Sequence, residues 1–63
     1  MFRIKELREA RGISARELSE LSGVSYTTIY FLENNLKDVA LSKTLLAIAK
    51  ALGVTISELF LSE

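Results

Sequence analysis

Tyr26, Thr27, Tyr30 and Phe31 fall within six consecutive residues of the stretch SGVSYTTIYFLENN, residues 22–35. Two phenols, an alcohol and a phenyl ring make hydrogen bonds and apolar contacts, but a hydroxyl becomes a nucleophile only beside a base. The chain has no histidine to act as that base and no cysteine to replace it. Together those absences also remove disulfides and the usual zinc ligand sets. No glycine-rich phosphate loop occurs, and the acidic residues sit singly along helical segments, where solvated salt pairs are the simpler reading. The chemistry on offer is recognition, and the expectation is a non-enzyme without cofactor or metal.

A short helix must present these side chains, and its limits are marked. Gly23 makes a turn, Ser25 is suited to capping, and the helix runs from Tyr26 to about Asn34 with Ile29 and Leu32 as its inward pair. A core needs one face of such a helix, so the other side chains must meet something else. Four further helices are expected around it. The first runs from about Ile4 to Arg11, places Ile4, Leu7 and Ala10 on one face and ends at Gly12. The second starts in a capping box between Ser14 and Glu17, turns Leu18 and Leu21 inward and stops at Gly23. The fourth, from about Lys43 to Leu52, carries Leu45, Leu46, Ile48, Ala49 and Leu52 and is expected to be the most buried. Thr55 and Glu58 repeat the capping-box pattern and open a fifth, short helix with Ile56, Leu59 and Phe60.

Nothing alternates with the period of a strand, and no repeat or linker divides the chain. The expectation is an all-α, compact five-helix bundle forming one domain over residues 1–63. At 63 residues and 49% hydrophobic content it should pack without staples, although a chain of this size buries only about 60% of its unfolded surface. No apolar run approaches the roughly 20 residues that span a bilayer, and the start lacks a signal-peptide core. A cytoplasmic location follows as the default.

Eight basic residues balance eight acidic ones, which counts against nucleic-acid binding, since such proteins commonly carry a basic excess. The balance is uneven along the chain. Residues 1–12 sum to +2 and 37–50 to +2, against −2 for each of 13–36 and 51–63.

Three stretches, KELREARGIS, ARELSELSGVSYTTIYFLE and LLAIAKALGVTISELF, together resemble the Cro/CI-type phage repressor helix-turn-helix proteins, a lambda-repressor-like DNA-binding family. The likeness covers nearly the whole chain. It lies in the joint register of Leu18, Ile29 and Leu32, of small Ser19 at a helix crossing, and of the Gly23 turn. The resemblance implies a sequence-specific regulator of repressor type in a bacterial, phage or archaeal cell interior, dimeric on a palindromic operator in double-stranded DNA and weakly associated off it. It implies that Tyr26, Thr27, Tyr30 and Phe31 face base edges. Ser14, Arg16, Ser25, Thr28, Asn34, Asn35, Lys37 and Lys43 would meet phosphates, Arg8 would pair with Glu33, and Phe60 and Leu61 would serve a dimer contact.

Each role has a plainer rival. Tyr26 and Thr27 also suit a solvated helix start, Phe31 also suits packing against the following loop, and a lone lysine is usually a solvated charge. The chain departs from the family pattern at Ala15, where a polar amide is usual, and after Glu33, where Asn35, Leu36, Lys37, Asp38 and Ala40 replace a glycine, basic residues and a proline. Few cations are then available for phosphate. Two other readings stay open: a protein-interaction domain using Tyr26, Tyr30 and Phe31 as its contact patch, and an engineered or idealised domain, which a thermophile protein would resemble, with caps at nearly every helix.

Overall fold

Helices form where local capping and apolar spacing agree, and the computed structural model describes residues 2–34 and 42–60 of the chain. Among the described residues there are four α-helices, α1 (Ile4–Ala10), α2 (Ala15–Ser22), α3 (Tyr26–Glu33) and α4 (Ser42–Leu52), followed by a 3-10 turn at Ser57–Leu59. The expected all-α class holds at that level; the five-helix count does not. Thr55 and Glu58 do form their reciprocal bonds: the Thr55 backbone N–H donates to Glu58 Oε1 at 3.1 Å and the Glu58 N–H donates to Thr55 Oγ1 at 3.3 Å. Yet the helix never propagates. Phe60 turns extended, at φ −89° and ψ 146°, to form a single antiparallel bridge with Phe2, and the Arg3 N–H donates to the Leu59 carbonyl at 2.6 Å. Pairing the two ends of the chain overrides the local start signal.

The core is apolar throughout. Ile4, Leu18, Ile29, Leu32, Leu45, Ile48, Ala49, Leu52 and Leu59 are buried, and no polar residue is buried among those described. Four of these nine come from α4, which packs against α2 and the 3-10 turn. Leu46, grouped with them on sequence, is exposed. Leu21, expected inward, is 64% exposed. Its i+3 spacing from Leu18 places it on the far side of that residue from Ala15, Ser19 and Ser22, which share the half-buried face. Small side chains on that face let α4 and α3 approach α2 closely. Ala10 is exposed for the same geometric reason, because successive i+3 steps drift round the helix, while Arg8 at i+4 from Ile4 takes the inward position.

The Ile48 and Leu21 positions therefore separate core from surface. Ile48→Ala should lose about 2–5 kcal/mol in urea denaturation, and Leu21→Ala should stay within about 0.5 kcal/mol of the parent. A second expectation concerns pH. The Thr55 backbone N–H and hydroxyl hold the Glu58 carboxyl below its ordinary value. Stability from this contact is thus present above the ordinary carboxylate range and lost as pH falls through the lowered value. Thermal melts of the parent and Glu58→Gln should differ near pH 6 and converge as the pH is taken below about 4.

Candidate functional site

The geometry that sets α3 apart begins in the three residues before it. Gly23 sits at φ +75°, and a Cβ built there would meet nothing within 4 Å, so glycine is required for the left-handed backbone and not for space. Hydroxyls then close the turn. Ser19 Oγ donates to the Val24 carbonyl at 2.6 Å, Ser22 Oγ donates to the Leu18 carbonyl at 2.7 Å, and the Val24 N–H donates to Ser22 Oγ at 3.2 Å. Ser25 caps α3, accepting from the Thr28 N–H at 3.2 Å, and its hydroxyl donates to Thr28 Oγ1 at 2.8 Å.

The far end is fixed by a bidentate ion pair. Arg8 Nε meets Glu33 Oε2 at 2.9 Å and Nη2 meets Oε1 at 3.1 Å, with side-chain exposures of 12% and 7%. A third donor, Nη1, reaches the Ile13 carbonyl at 2.9 Å, so one guanidinium ties α1, the loop after it and the end of α3 together. Hydrogen bonding to Glu33 raises the Arg8 pKa further above its already high ordinary value.

With Ile29 and Leu32 fully buried and both ends held, the outer face of α3 is turned to solvent. Tyr26 is 52% exposed, Tyr30 48% and Phe31 36%, and Thr27 is exposed beside them. The Tyr30 and Phe31 rings lie 6.1 Å apart at 58°, making one continuous apolar surface. Tyr26 and Tyr30 stand one turn apart on one row, as do Thr27 and Phe31 on the next. The one charge on this helix, Glu33, is neutralised by Arg8.

Beside this face lies an open recess of about 380 Å³ where the turn meets the first turns of α4. Ser25 and Thr28 line it from one side, Lys43 and Thr44 from the other. Of the other residues singled out on sequence, Ser14 caps α2 by accepting from the Glu17 N–H at 3.0 Å, and Arg16 is exposed in the same first turn. Asn34 is exposed and donates its side-chain N–H to the Tyr30 carbonyl at 2.8 Å. Phe60 is exposed but already packs against Phe2, with ring centroids 5.2 Å apart. Asn35, Lys37 and Leu61 lie outside the described residues. Sequence reasoning missed Thr44 in the recess and the Arg8–Ile13 bond, and it read Ser19 as merely small. A hydroxyl one turn before a glycine stop was the available signal for the last of these.

A family model described as helix-turn-helix matches residues 4–59. The HTH-type transcriptional regulators PuuR of Escherichia coli (strain K12) and of Shigella flexneri are each 36% identical over 58 residues, covering 92% of this chain and 31% of theirs. The chain thus spans about a third of the length of these curated relatives. No solved structure matches it.

Glu33→Gln would leave the half-buried Arg8 charge without its counter-charge, and a loss of about 1–3 kcal/mol is expected in urea denaturation. Replacing both partners, as in Arg8→Met with Glu33→Leu, should recover much of that loss, because neither variant side chain then needs a charged neighbour.

Proposed function

Because the chain belongs to the helix-turn-helix family, we propose that it is the DNA-binding domain of a transcriptional regulator, reading double-stranded DNA with α3 in the major groove. One observation carries the reading: α3 turns the uncharged row of Tyr26, Thr27, Tyr30 and Phe31 outward while its two ends are pinned by Ser25 and by Arg8–Glu33. A major groove about 12 Å wide admits a single helix, and base contacts begin at its N-terminal end, with Tyr26 and Thr27, and continue one turn on to Tyr30 and Phe31.

The flanking groups suit phosphate. Ser25, Thr28, Lys43 and Thr44 gather hydroxyls, a cation and the first turns of two helices beside the reading face, and phosphate favours such termini. Ser14, Arg16 and Asn34, with Asn35 and Lys37 in the following segment, complete the set. Such contacts set register and supply salt-dependent affinity without reading sequence. The regulator acts as a repressor inside the cell, as a homodimer on a palindromic site whose half-sites lie roughly 34 Å apart, using Phe60 and Leu61 at the dimer contact. No helix among the described residues is long and apolar enough to cross a membrane.

Zero net charge favours one rival, a protein contact made through the same aromatic face. Salt separates the two. In fluorescence anisotropy against duplexes enriched from a randomised pool, affinity should fall steeply between about 50 and 200 mM salt. Lys43→Ala should weaken all duplexes alike and reduce the log–log salt slope by about 1. A folded chain that retains no duplex at low salt overturns the DNA reading, and a binding partner held equally at high and low salt supports the rival.

A further inference from the structure

The side chains α3 turns outward restrict what they can tell apart. Discrimination by paired hydrogen bonds uses arginine or lysine on guanine and asparagine or glutamine on adenine. Tyr26–Glu33 contains none of these four. Glu33, which could accept from cytosine, is locked to Arg8 at 2.9 and 3.1 Å. Just past the helix, beyond the residues that share its outer face, Asn34 commits one of its two amide hydrogens to the Tyr30 carbonyl at 2.8 Å.

Hydroxyls remain at Tyr26, Thr27 and Tyr30, but a single hydroxyl both donates and accepts. It meets the N7 shared by adenine and guanine equally, and it adapts to either the amino group or the carbonyl beside it. Such bonds add affinity and little discrimination. What is left is apolar contact. Tyr30 and Phe31 form a joined ring surface, with centroids 6.1 Å apart, and Thr27 stands one turn before Phe31 on the same row. In the major groove the thymine C5-methyl is the apolar group that distinguishes one base pair from the others.

Resting on the placement of α3 in the major groove, we infer that this chain selects its half-site through thymine methyl groups, with Phe31 and Tyr30 as the discriminating residues. Sites it prefers carry thymine at the positions facing these rings. A 5-methylcytosine offers the same methyl and is accepted there better than cytosine.

The test uses the full chain and a duplex enriched from a randomised pool, synthesised again with every thymine replaced by deoxyuridine. That exchange keeps each pair and each hydrogen-bonding edge and removes the methyls. Affinity should fall about fourfold for each contacted methyl, the effect expected for one buried methyl-sized group. Phe31→Ala, which removes an exposed ring and should leave the circular dichroism spectrum unchanged, should bind the thymine duplex more weakly. It should also lose most of the sensitivity to deoxyuridine.

Equal affinity for the thymine and deoxyuridine duplexes overturns the inference and leaves the DNA reading standing. So does a deoxyuridine penalty that stays undiminished in both Phe31→Ala and Tyr30→Ala, which would assign the effect to duplex shape, or enrichment of sites without thymine. Failure to enrich any duplex with a folded chain overturns the DNA reading and this inference together.

Discussion

An eight-residue helix is too short to persist in water on its own, since isolated helices below about 12–15 residues are marginal. All the order of α3 is therefore borrowed. Ile29 and Leu32 anchor its underside, Ser25 supplies the missing acceptor at one end, and the Arg8–Glu33 pair holds the other. The pair is the most demanding of these, because both charges are partly withdrawn from water and attraction recovers their desolvation only with good geometry. Bidentate contact and the third bond to Ile13 supply that geometry. An apolar pair could stabilise as well, but it would set neither the distance nor the rotation of α3 so narrowly.

Close packing of α2 gives the other half of the arrangement. Its inner face offers Ala15, Ser19 and Ser22 around the single large residue Leu18, so neighbouring helices approach near the backbone. Serines at such a face would leave hydroxyls stranded in an all-apolar crossing. Here Ser19 and Ser22 turn them onto the Val24 carbonyl, the Leu18 carbonyl and the Val24 N–H. The residues that allow the approach thus also satisfy the turn it creates. Leu21 is left outside because its spacing from Leu18 carries it off that face.

What was legible in the sequence was local. The Ser14–Glu17 and Thr55–Glu58 boxes, the Ser25 cap and the Gly23 stop involve neighbours three or four residues apart, and each forms. The outward face of α3 was legible too, since two inward residues in so short a helix determine the rest. Reading i+3 partners as equals of i+4 partners misplaced Leu21 and Ala10. The fifth helix failed for a non-local reason: Phe60 is drawn into extended pairing by Phe2, 58 positions earlier, and no window around Thr55 contains that information. The Arg8–Ile13 bond and the recess joining Thr28 to Thr44 are likewise products of packing.

An uncharged reading face also bears on the balanced charge of the chain. On the proposed reading, affinity and discrimination are carried by different residues. Arg16, Lys43 and the hydroxyls near the helix starts meet phosphate, a contact that weakens as salt screens it and is the same on every duplex. The rings of α3 meet base edges through apolar burial, which salt scarcely alters. Raising salt then lowers specific and non-specific binding by similar factors and leaves their ratio nearly constant. Few cations limit how long the chain dwells on the wrong duplex, while discrimination stays with the rings. Zero net charge, which counts against nucleic-acid binding when the chain is read as a sum, is in this arrangement compatible with selective binding, because selectivity was never assigned to charge.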